Sequence, residues 1–156
     1  MLFGRRDLIS ATGKTFEDLK LELEITREIH LGRDLVLPWP WRRTRLINSI
    51  SRLGEGRVWG SWKQDFGNHR IELWLPLGIS WVTSGNHSIA IGIIQCSGKL
   101  KPDYIYDISK MYDYVYCDGR NYIGKENNTI IAPVENVEFA AIFEIGRMMV
   151  ENSISF

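Results

Sequence analysis

The sequence predicts an α+β fold with a mixed sheet, and three observations carry that prediction. Apolar residues recur at helical spacing over 15–31, 43–53 and 136–150. Strict alternation over His69–Leu75 and Tyr104–Ile108, with a hairpin signal at Asp118-Gly119, marks strands interleaved with those helices. No Pro/Gly/Ser-rich or charged run separates the two kinds of element, so they read as one core domain over 34–156 behind a lead-in and helix at 1–33.

Each element has its own signal. Residues 1–14 lack periodicity, and Gly4 and Gly13 mark a loose lead-in. Thr15 is a hydroxyl cap with Glu17 and Asp18 in the first turn, which starts a helix that Gly32 ends. Pro38 and Pro40 hold Leu35–Trp41 extended. Leu46, Ile47, Ile50 and Leu53 then give an amphipathic helix from about Arg43, closed by Gly54. Gly56–Trp62 is a candidate short strand, and 63–68 a polar turn. Tyr112–Cys117 and Asn121–Ile123 flank the Asp-Gly turn as a hairpin. Asn136 caps a last helix carrying Phe139, Ile142, Phe143, Ile145, Met149 and Val150.

The organising stretch is Trp74–Cys96. Its apolar strand stops at Thr83-Ser84-Gly85-Asn86-His87-Ser88 and resumes from about Ser88 as a helix apolar on nearly every side, with a strand as the alternative because Ile89, Ile91, Ile93 and Ile94 are β-branched. A strand that turns into a helix through Gly and small polar residues leaves N–H groups converging on one point, a natural phosphate pocket. The plainer alternative is a tight turn at Gly85 and a cap at Ser88. Gly67-Asn68-His69-Arg70 resembles Gly85-Asn86-His87-Ser88 but precedes a strand, so it reads as coincidence.

Nineteen basic and nineteen acidic residues cancel, so no global field draws the protein to nucleic acid or a membrane. No window is apolar enough to span a bilayer, and MLFGRRDLIS lacks a signal-peptide core, which makes the cytoplasm the expected location. Cys96 and Cys117 read as core thiols of a reducing compartment. Six tryptophans read mostly as core. Five arginines within 42–57 make the one concentrated positive patch, either a solvated face or a phosphate-facing one.

Two resemblances follow from particular motifs. LPWPW at 37–41, NHSIA at 86–90 and FEIGRMM at 143–149 resemble an uncharacterised bacterial family of unknown function, over most of the chain from about Leu35. More distantly, Pro40 and Arg45, the helix 46–53 and the turn Gly85-Asn86-His87-Ser88 are similar to the ParB/sulfiredoxin superfamily. That resemblance implies a turn that holds nucleotide phosphates, in a superfamily that includes kinases and nucleases. Asn86 stands where sulfiredoxin has its reactive cysteine, which argues against peroxiredoxin repair. Ser88 stands where most members have arginine, which removes a phosphate clamp.

The chemistry expected of the turn is phosphate or nucleotide binding by Ser84, Gly85, Asn86 and Ser88, with Arg45 as the cation. His87 is the candidate acid or base and Asp107 the candidate base or magnesium ligand, with Asp113 and Asp118 as weaker acids. The expected cofactor is a nucleotide with Mg²⁺; no zinc spacing occurs. Activity would be phosphodiester hydrolysis or phosphoryl transfer. Glu144 interrupts an apolar helix and either faces solvent or pairs with Arg147. The alternative function is a non-catalytic interaction or inhibitor protein of a bacterial or phage conflict system, docking through Trp39, Trp41, Arg42 and Arg43. A nucleic-acid partner would need the arginines on one face.

Overall fold

A computed structural model describes residues 9, 10 and 12–156. The Gly4 part of the lead-in lies outside the described residues. In chain order the elements are α1 (Phe16–Leu19), β1 (Leu21–Glu22), β2 (Ile29–His30), β3 (Val36–Leu37) and α2 (Arg43–Arg52). Next come β4 (Arg70–Leu75), β5 (Ile79–Ser84), α3 (Asn86–Ile94), β6 (Lys99–Leu100) and β7 (Tyr104–Asp107). The chain continues as α4 (Met111–Tyr114), β8 (Val115–Cys117), β9 (Asn121–Gly124), β10 (Thr129–Pro133) and α5 (Val137–Glu151). The α+β class holds, and the sheet is mixed. The described residues fall into two compact units, one of 24–74 with 78–105, the other of those up to 23 with 75–77 and 106–156.

In the first unit β5 pairs antiparallel with β4 (Leu73 opposite Ser80) and parallel with β3 (Val36 opposite Ser80). Ile71 and Leu73 of β4 are buried, as their alternation requires, and Trp74 is buried on the other face. α3 is apolar nearly all round and buries Ile89, Ala90, Ile91 and Gly92. Gly92 is there for closeness: a Cβ would meet Trp62 Nε1 and the Ser97 carbonyl at 3.0 Å each. The helix starts at Asn86, two residues before its sequence signal, because Gly85 already accepts the Ile89 N–H at 3.0 Å.

In the second unit Asp118 Oδ1 accepts the N–H groups of Arg120 (2.8 Å) and Asn121 (2.7 Å), closing the expected hairpin between β8 and β9. β10 adds a third strand on β9 with a bulge between Ile130 and Ala132. Asn136 caps α5 by accepting the Phe139 N–H at 3.0 Å. Phe143 is fully buried between Tyr112 and Tyr122, ring centroids 5.0 and 5.4 Å away. Glu144 accepts from Arg147 Nε at 2.6 Å and, on its other oxygen, from the Cys117 N–H at 2.9 Å, so it joins α5 to the edge of β8. Burial holds the Tyr122 hydroxyl up at about 12, with Cys117 and Glu144 adding to the effect.

Several expectations are corrected. The helix expected over 15–31 is a single turn, α1, with Thr15 bound to Asp18 as its cap. Leu21, Leu23 and Ile25 alternate with Glu22 and Glu24, and that period of two wins: Leu21 and Glu22 pair with Asp107 and Tyr106. Gly56–Trp62 is no strand; local bonds such as Trp59 N–H to Arg52 O (2.8 Å) and Gly60 N–H to Arg57 O (2.9 Å) fold it into turns. Cys96 is exposed rather than core, because α3 ends at Ile94 and Cys96 lies beyond it with φ 48°; Cys117 is half-buried. Of the tryptophans only Trp62 and Trp74 are buried and Trp81 is half-buried, while Trp39, Trp41 and Trp59 are exposed. Two prolines and a glycine-rich loop hold those three outside the packed elements.

Candidate functional site

The turn between β5 and α3 is built from below. His69 is buried and stacked on Trp62, centroids 5.0 Å apart and planes 14° apart. Its Nδ1 accepts the Asp65 N–H at 2.9 Å, which places the ring proton on Nε2. Nε2 therefore donates to Ser88 Oγ at 2.6 Å, and Ser88 Oγ donates on to the Gly85 carbonyl at 3.1 Å. Trp62 Nε1 donates to the Ser88 carbonyl at 2.7 Å. Desolvation lowers the His69 pKa, with the nearby Asp65 charge opposing it. Gly85 takes φ 77°, and a Cβ there would sit 2.5 Å from the His69 ring, so both conformation and space require glycine.

Two side chains of the first helical turn tie down the preceding extended segment. Asn86 Oδ1 accepts the Trp39 N–H at 2.6 Å, and His87 Nε2 accepts the Arg42 N–H at 3.1 Å. The Trp41 ring meets His87 edge-on at 4.9 Å. The ring neighbour of His87 is thus Trp41, and its hydrogen-bond partner is a donor. Its proton is thereby placed on Nδ1. With glycine as N-cap, α3 has no side-chain cap, and the N–H groups of Asn86, His87 and Ser88 have no acceptor among the described residues.

Asn86, His87 and Ser88 line a cavity of about 500 Å³. Ser84, Gly85, Asn86, His87 and Ser88 line one side, Arg45, Asn48 and Ser49 of α2 another, and Trp41, Trp59, Asn68 and Thr83 the rest. Arg45 is the one cation of the lining, and no carboxylate belongs to it. Asp107 lies in the other unit, where it accepts the Ser109 N–H at 2.8 Å and lines a separate cavity of about 330 Å³. Asp113 and Asp118 are exposed in that same unit. Among the described residues no group of three His, Cys, Asp or Glu could hold a metal ion. Trp39, Arg42 and Arg43 are exposed and lie off the cavity lining.

α2 is turned inside out. Ile47 and Ile50 are 54% and 39% exposed, whereas Ser49 is 8% exposed. Arg45, Asn48, Ser49 and Arg52 follow the i, i+3, i+4, i+7 rule that normally marks an apolar face. That polar stripe is visible in the sequence, but apolar periodicity, which points to Leu46, Ile47, Ile50 and Leu53, does not report it. Arg57 donates to the carbonyls of Ile50 and Leu53, and Arg52 lies 5.7 Å from the Trp59 ring, so these two of the five arginines have structural employment. The Gly67–Arg70 likeness also carried information. Arg70 pairs with Ser84, which brings the two similar tetrapeptides side by side and joins them through His69 and Ser88.

Fold and cavity together define an α+β protein with a donor-lined cavity where a strand turns into a buried helix. Its sequence belongs to a family of unknown function, DUF6710, whose family model matches residues 6–156. This agrees with the resemblance carried by LPWPW, NHSIA and FEIGRMM. No curated protein and no solved structure matches the chain.

Proposed function

We propose that this protein binds a phosphate-bearing ligand, a nucleotide in the first instance, at the Ser84–Ser88 turn. The observation that carries the reading is the pairing, on one cavity, of an uncapped helix start with Arg45, which has no carboxylate partner among the described residues. Three open N–H groups and a guanidinium suit an oxyanion by both dipole and charge. Binding has more support than catalysis: Nε2 of His87 is already engaged, and a magnesium ion would arrive on the ligand's own phosphates. The ParB/sulfiredoxin likeness, with its hydrolytic or phosphoryl-transfer chemistry, is an extension of this reading.

A thermal-shift panel of nucleoside triphosphates, with and without Mg²⁺, tests it. At a hundred times Kd a ligand stabilises by about 2.7 kcal/mol, which raises Tm by roughly 5–10 °C for a chain of this size. Arg45→Ala, an exposed change, should weaken binding by roughly ten- to a hundredfold without moving the ligand-free Tm. No shift with any nucleotide would end the nucleotide assignment, and no shift with any phosphate compound would end the reading.

A second reading, docking on an acidic protein partner, is favoured by Trp39 at 78% exposure beside Arg42 and Arg43, neither with an ion pair among the described residues. The two readings separate cleanly. Trp39→Ala with Arg43→Glu should leave the nucleotide shift intact and abolish partner binding.

A further inference from the structure

Resting on the phosphate reading, a narrower inference concerns what the cavity accepts. Two of its lining residues, Ser49 and Asn86, are more than nine-tenths buried, at 8% and 7% exposure. Asn86 Oδ1 is taken by the Trp39 N–H, which fixes the amide and leaves Nδ2 without an acceptor among the described residues. Ser49 sits inside α2, where a serine hydroxyl ordinarily turns back to the carbonyl one turn earlier. That bond is not made, and Ser49 Oγ has no partner among the described residues. Neither Ser49 Oγ nor Asn86 Nδ2 is fully enclosed, so each is a donor open to whatever fills the cavity that both residues line.

We infer that Ser49 and Asn86 are the floor of an oxyanion seat whose ligand is a small phosphomonoester. The donors come from two elements: the Ser49 hydroxyl and Arg45 from α2, the Asn86 amide and three N–H groups from α3. Ser49 can also accept, but no carboxylate or other acceptor-only side chain lines the cavity, so the bound group should be rich in acceptors. A terminal phosphate offers three unesterified oxygens and close to two negative charges near neutral pH. A phosphodiester offers two oxygens and one charge, and would leave part of this donor set unused. A cavity of about 500 Å³ is of small-molecule size, with Trp41 and Trp59 as the wall for the organic part.

Isothermal titration with ribose 5-phosphate, the four nucleoside 5′-monophosphates and the 3′,5′-cyclic diester of adenosine tests the inference. The monoesters should bind at least about tenfold more tightly than the cyclic diester, and the ribose arm tells a sugar phosphate from a nucleotide. Ser49→Ala, which favours helix, should weaken monoester binding about tenfold. Asn86→Asp keeps an acceptor for the Trp39 N–H and puts a carboxylate at a helix start, so Tm should hold or rise while binding is lost. Equal affinity for the cyclic diester, or unchanged binding in both variants, overturns the monoester seat and leaves the phosphate reading standing. No binding of any phosphate compound at millimolar concentration overturns both.

Discussion

His69 shows how much a single residue can decide here. Its neutral form with the proton on Nε2 is the only one that serves both neighbours, since Asp65 offers an N–H and Ser88 an oxygen. Protonation would set a donor against the Asp65 N–H beneath the turn. Burial lowers its pKa below the ordinary value, so the unfolded chain binds the proton more readily than the folded one. Stability should therefore be full above the unfolded value near 6.5 and fall as pH drops from there toward the lower folded value. Urea unfolding at a series of pH values should show that slope, and His69→Gln should flatten it.

At the scale of elements, α2 is the instructive case. Its position was legible from Leu46, Ile47, Ile50 and Leu53, but its orientation was not, because periodicity locates a face without saying what covers it. The structure turns Ser49 inward and leaves Ile47 and Ile50 to solvent. Ile47→Ser with Ile50→Ser should therefore change stability by no more than about 1 kcal/mol, against about 2–5 kcal/mol for truncating a buried isoleucine such as Ile89. Chemical denaturation of the two variants distinguishes them. α1 teaches the complement: Phe16 and Leu19 signalled a helix correctly, and the extension to Leu31 failed where the Leu-Glu alternation offered strand pairing instead.

Across the whole chain, the elements with strong local chemistry were readable: the β4–β5 strands, the Asp118 hairpin and the Asn136-capped α5. Those that depend on distant partners were not, such as β10, which needs β9, and the inward Ser49, which needs α3. The cavity was half legible. Arg45 and 84–88 are legible as a set, whereas Asn48, Ser49, Trp59 and Asn68 come from elements whose placement is tertiary. Charge is simpler to read. With nineteen cations against nineteen anions and an isoelectric point near 6.8, solubility should pass through a minimum close to neutral pH and recover on either side, as light scattering across a pH series would show.

The bond between His69 and Ser88, nineteen positions apart in the chain, links two short segments that look alike. Its consequence is evolutionary. A change at either partner strands the other, so among relatives positions 69 and 88 should drift as a couple, each tolerated substitution answered at the opposite end, while Gly85, wedged against the same ring, stays put.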